Sequence, residues 1–89
     1  MSLTAEQVRD FVIEALDEPL RTAGIEPAQV GDDFDLLESG VIDSLGLLEL
    51  IPQVEDRFGI EIDFEEMDPE NMTIVGPFSR FVTAQAQAA

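Results

Sequence analysis

Apolar residues near the N-terminus recur at helical rather than alternating spacing. Val8, Phe11, Val12, Ala15 and Leu16 share one face, and Glu6, Arg9, Asp10, Glu14 and Asp17 take the other, which predicts an amphipathic helix. Thr4-Ala5-Glu6-Gln7 has the form of a capping box and sets its start. Pro19 disfavours helical backbone at Glu18, so the helix is expected to end near there. A long connection follows, punctuated by Gly24, Pro27, Gly31 and Gly40. Its apolar residues Ile25, Val30, Phe34, Leu36 and Leu37 are expected to pin it to the core. A connection of this length hints at a purpose beyond joining two helices.

The second helix is bounded by Asp43 as N-cap and by Gly59 as the stop after Phe58. Leu47, Leu48, Ile51, Val54 and Phe58 form its expected buried stripe, with Pro52 in mid-helix predicting a kink. Ile60, Ile62 and Phe64 alternate with Glu61 and Asp63. Lacking a second strand to pair with, they predict an extended connector. A single turn is expected at Phe64-Glu65-Glu66-Met67. The last helix is capped by Thr73, turns Ile74, Phe78, Phe81 and Val82 inward, and has Pro77 in its first turn. The sum is an all-α fold of three main helices and one short helix with a long first loop. It forms one domain over residues 1–89.

Composition narrows what such a bundle can do. Twenty acidic residues face four basic ones, all arginine, for a net charge of -16 at 9.8 kDa. That surface repels phosphate backbones and anionic membranes, so neither nucleic acid nor membrane insertion is expected. Partners with basic patches are. Fourteen of the acids lie between positions 32 and 70, with Arg57 the only base among them. Histidine, cysteine and lysine are absent, which excludes a Ser-His-Asp triad, a thiolate nucleophile, an ordinary zinc site and a Schiff base. The first residues, Met1 to Glu6, show neither the basic nor the apolar region of a signal peptide. A cytoplasmic monomer is the expectation, since like charges discourage self-association.

Asp32-Asp33-Phe34-Asp35 invites a calcium-loop reading, but starting at Asp33 puts Glu38 at the required glycine and Ser44 at the final glutamate. A serine hydrolase elbow also fails, because Gly40 lies four residues before Ser44 rather than two. Ser44 itself is the notable residue. It stands at the first position of the second helix, where free N–H groups and the positive end of the helix dipole suit a phosphate ester on its hydroxyl.

Asp43-Ser44-Leu45, the leucine-rich run before it and an acidic helix closing in Phe58-Gly59-Ile60-Glu61-Ile62 together resemble the acyl carrier protein family. The likeness runs from the first amphipathic helix to the last and implies an acyl-carrier-like four-helix bundle. It further implies that a phosphopantetheinyl transferase moves 4′-phosphopantetheine from coenzyme A onto Ser44, flanked by Asp43 and Leu45. The thiol of that arm then carries an acyl or aminoacyl group as a thioester to ligases, synthases and transferases of fatty acid, polyketide or related specialised biosynthesis. The chain is then a substrate for several enzymes and a catalyst of none. By position, Asp43, Glu49, Glu55 and Asp56 match the acids that meet basic partner surfaces in that family. Leu45 matches its apolar docking contact, with Glu66 and Met67 completing the face. Two residues depart from the commonest carriers: Gly46 replaces an acid, and Pro52 replaces an apolar helix former. Gly46 resembles the pattern of D-alanyl and aminoacyl carriers, the alternative cargo class. An unmodified acidic interaction protein, a mimic of nucleic-acid charge, is the competing reading.

Overall fold

The computed structural model describes residues 3–63 and 72–88. Within them lie four α-helices, α1 (Ala5–Ala15), α2 (Asp17–Thr22), α3 (Ser44–Phe58) and α4 (Val75–Ala88), and a single 3₁₀ turn at Pro27–Gln29. The described residues contain no strand, only an isolated antiparallel bridge between Asp35 and Ile74. The fold is therefore the helical bundle anticipated from the sequence. The short turn anticipated at Phe64 to Met67 lies outside the described residues.

Local chemistry sets the helix starts. Thr4 Oγ1 accepts from the Gln7 N–H at 3.2 Å while Gln7 Oε1 accepts from the Thr4 N–H at 2.9 Å, closing the capping box. The first helix does not run on to Glu18. It stops at Ala15, Leu16 leaves helical geometry (φ -101°, ψ 19°), and α2 restarts at Asp17 with Pro19 in its first turn. The proline ring crowds the carbonyl of Ala15, four residues back, and offers it no donor, so the ladder breaks there. Inside the first turn of α2 the missing N–H costs little. The restart lets Leu20 reach the core.

Val8, Val12, Leu47, Leu50, Ile51, Val54, Val75, Phe78 and Val82 form most of the buried core. Here α1 packs chiefly against α4 and less extensively against α3. Leu48 does not belong to that core, contrary to the expected stripe. It is 62% exposed, and Leu50 is buried in its place. At about 100° per residue, Leu50 lies roughly 60° from Leu47 and 40° from Val54, whereas Leu48 lies about 100° from Leu47 and 120° from Val54, toward solvent.

The loop between α2 and α3 is pinned as its apolar residues suggested. Val30 and Leu36 are buried, and Ile25, Phe34 and Leu37 pack against the core. Its middle is stitched to the start of α4 by backbone bonds: Leu36 N–H to Thr73 O (2.8 Å), Val75 N–H to Phe34 O (2.9 Å) and Gly76 N–H to Asp32 O (2.8 Å). The last two satisfy donors that a helix start leaves without partners. Arg80 Nη1 then sits 3.0 Å from both carboxylate oxygens of Asp32. Thr73 is consequently not the N-cap of α4, which begins two residues later at Val75. Its hydroxyl serves the Asp35 carboxylate instead.

Asp35 is the hub of this loop. Its Oδ1 accepts the N–H groups of Leu37 and Glu38, each at 3.0 Å. The Glu38 N–H is the main influence holding its carboxyl below the ordinary value of 3.8. Slight desolvation opposes this, and the Thr73 hydroxyl and Leu37 N–H reinforce it. A depressed folded-state value gives stability that is present above the unfolded value and lost as pH falls through the folded one. Asp35→Asn keeps an acceptor oxygen but no charge. Its urea midpoint is expected to lie below the parent's at pH 7 and to converge on it as pH falls below the ordinary value of 3.8 and through the lower folded-state one. A gap of constant size across that range would assign the effect to shape rather than charge.

Candidate functional site

The start of α3 is built by Asp43. This residue is extended (φ -99°, ψ -176°), and its Oδ1 accepts the Gly46 N–H at 2.7 Å. Its backbone carbonyl takes the Leu47 N–H at 3.0 Å. Ser44 is therefore the first helical residue and is exposed. Having no acceptor within the helix, the N–H groups of Ser44 and Leu45 point toward whatever sits on this end. With the dipole of a 15-residue helix behind them, they fit a phosphate on the Ser44 hydroxyl. Ser39, five residues upstream, is placed otherwise: its hydroxyl donates to Leu36 O at 3.2 Å inside the loop.

Gly46 has a local reason. A Cβ on it would lie 3.0 Å from Ile42 Cβ and 3.4 Å from Asp43 Oδ1. Any side chain here presses on the residues that hold Ser44 at the helix start. Ile42 at N′ and Leu47 at N4 also stand at the positions of a hydrophobic staple.

Leu45 is 64% exposed, as anticipated, and Leu48 beside it, which periodicity alone assigns to the core, is exposed with it. On a helix the two meet at i, i+3, one turn from Ser44. The available signal was the leucine surplus: α3 has five apolar residues between Leu45 and Ile51, more than one face can bury. Glu49 and Asp56 are exposed on the same helix. Glu55 is not free in the same way. It is half-buried, and its Oε2 accepts the Ile62 N–H at 2.9 Å, tying the segment after α3 back onto the helix. Gly59 ends α3 in the left-handed region (φ 65°, ψ 40°), and the N–H groups of Gly59 and Ile60 both reach Glu55 O. Arg57 lies at this far end, about 20 Å from Ser44 by helical rise, with its guanidinium over the rings of Phe11 (6.0 Å) and Phe58 (5.7 Å). The acids near Ser44 thus face solvent with the one base of their helix, Arg57, at its opposite end. Glu66 and Met67 lie outside the described residues.

Among the described residues, no three carboxylates come together to hold a metal ion, and no helix is long and apolar enough to cross a membrane. Asp32 is engaged by Arg80, and Asp35 by its own loop.

The family model for a phosphopantetheine attachment site matches residues 7–75, which span Ser44 and most of the bundle. Similar proteins include the acyl carrier protein of Zymomonas mobilis, 34% identical over 68 residues that cover 76% of this chain and 78% of the relative. The meromycolate extension acyl carrier protein of Mycobacterium leprae is 30% identical over 67 residues, which cover 75% of this chain but 56% of that longer relative. The D-alanyl carrier protein of Bacillus velezensis is 32% identical over 59 residues, covering 66% of this chain and 76% of the relative. No solved structure matches this chain. With Ser44 exposed at a helix start and the family model matched over residues 7–75, this chain belongs to the phosphopantetheine attachment family.

Proposed function

We propose that Ser44 is the attachment residue and that this chain is an acyl carrier protein serving several partner enzymes in the cytoplasm as a monomer. The observation that carries the reading is Ser44 exposed at the first position of α3, behind an Asp43 cap that leaves the neighbouring N–H groups free. A phosphopantetheinyl transferase uses coenzyme A as donor. Ser44 Oγ forms the phosphoester bond with the pantetheine-bearing phosphorus and surrenders its proton to a base on that enzyme, while the pyrophosphate bond of coenzyme A breaks and adenosine 3′,5′-bisphosphate leaves. When attached, the arm supplies a thiol that holds acyl cargo as a thioester. What the chain itself does is place that arm, hold it at high local concentration for a docked enzyme and present a recognisable face. Leu45 and Leu48 offer an apolar contact, and Asp43, Glu49 and Asp56 attract basic residues around it. Such a chain performs no catalysis of its own. An aminoacyl cargo is the second reading, favoured by Gly46 and by the likeness to a D-alanyl carrier protein. The family match favours either carrier over an unmodified acidic mimic.

The test is intact mass after incubation with coenzyme A and a promiscuous phosphopantetheinyl transferase. A gain of one phosphopantetheinyl group is expected. An unmodified but folded chain, beside a control carrier that is modified, would return the acidic mimic to first place.

The two docking glutamates separate in a second measurement. Glu49→Lys is expected to slow modification several-fold, more so at low salt, while stability stays within about 0.5 kcal/mol of the parent. Glu55→Lys removes the acceptor of the Ile62 N–H and is expected to lower stability by about 1 to 2 kcal/mol. Transferase rates and urea midpoints on both variants check this, and equal stability losses would contradict it.

A further inference from the structure

The helix α3 is assigned without a break through Pro52. Proline has no N–H, so the carbonyl of Leu48, four residues earlier, loses its helical donor, and the ring pushes that carbonyl outward. The side-chain donor of neighbouring Gln53 is spent elsewhere: its Nε2 donates to Glu49 O at 3.2 Å. In the interior of the bundle an unpartnered carbonyl would be penalised. Here Leu48, Glu49, Pro52 and Gln53 are all exposed, so the carbonyl stands on a face open to solvent.

The position of this acceptor is what matters. Leu45, Leu48 and Pro52 follow at i, i+3 and i+7 on one side of α3, with Glu49 and Asp56 close to the same line. By helical rise the Leu48 carbonyl is about 6 Å along the axis from Ser44. The patch thus combines two large exposed leucines, carboxylates and a backbone oxygen, on a chain of net charge -16. Its complement is a surface with an apolar contact for the leucines and a long cationic donor beside it. Arginine fits best, since its stem covers apolar surface while its fork of donors reaches more than one acceptor.

We propose that Pro52 opens the Leu48 carbonyl as a hydrogen-bond acceptor for an arginine of the basic enzymes that dock on α3. The proposal rests on the carrier reading above and adds a specificity element to its docking face. An alanine or valine at position 52 restores the N–H that closes the acceptor, and valine keeps an apolar side chain, so the two variants separate the carbonyl from the loss of the proline ring.

The test uses the full chain, labelled with carbon-13 and nitrogen-15, titrated with a promiscuous phosphopantetheinyl transferase without coenzyme A. The Leu48 carbonyl carbon is expected to shift downfield as the complex forms. With coenzyme A present, Pro52→Ala and Pro52→Val are both expected to lower kcat/KM for modification by about threefold to tenfold, at undiminished helical content. Two results overturn the proposal while leaving the carrier reading intact: a Leu48 carbonyl that stays put while Leu45 and Glu49 shift, or variants modified at the parent rate. A parent that neither gains mass nor shows any α3 shift overturns both.

Discussion

Ser44→Ala is expected to abolish uptake of phosphopantetheine while unfolding at the same urea concentration as the parent. No cap is lost, because the helix start depends on Asp43, whose carboxylate holds the Gly46 N–H at 2.7 Å. Alanine is also well tolerated at an exposed helical position, so a stability change within about 0.5 kcal/mol is expected. The informative companion is Ser39→Ala. Ser39 is a neighbouring hydroxyl, yet it is bound to Leu36 O and lies in a loop rather than on a helix end. It should therefore keep full modification and lose a little stability. Intact mass on both variants decides between them. A mass gain that survives in Ser44→Ala and disappears in Ser39→Ala would move the attachment point into the loop.

How much of this was readable beforehand depends on the range of the interactions involved. The capping box at Thr4 and Gln7, the Asp43 cap and the Gly59 stop are made within five residues of sequence. They follow from side-chain chemistry alone, and with them came the placement of Ser44. The features that were not readable are decided across the bundle. Leu48 and Leu50 have equal claims to the core by composition. Packing across the bundle selects Leu50. Thr73 has the chemistry of a cap, but the bridge between Asp35 and Ile74 brings a carboxylate that claims its hydroxyl. Glu55 sits on the acidic helix like its neighbours, and only the return of the chain at Ile62 gives it a backbone partner. Pro19 is a boundary of a different kind. Its ring does end the helix, but the break falls at Leu16, because the ring acts on the carbonyl four residues earlier.

The same long-range packing makes Phe78 the position where a single truncation should do most harm. Among the described residues it is the largest fully buried side chain, 1% exposed, and it lies on α4, the helix that packs most extensively against α1. Phe78→Ala removes its transfer energy and leaves a cavity between two helices, for an expected cost of about 3 to 5 kcal/mol. A domain of this size holds roughly 4 to 13 kcal/mol in total. The parent is placed toward the lower end by its net charge of -16, since like charges on so small a body repel one another in the compact state. Core and charge therefore draw on the same margin. The parent's thermal midpoint is expected to rise between about 10 mM and 500 mM salt, as screening shortens the reach of that repulsion. Phe78→Ala is expected to be largely unfolded at 25 °C in the dilute buffer and to regain helix in the concentrated one. Far-ultraviolet circular dichroism melts at both ionic strengths provide the check. A variant melting within a few degrees of the parent would mean that α4 contributes little to the core. A parent midpoint that stays flat or falls with salt would remove self-repulsion as the reason the margin is small.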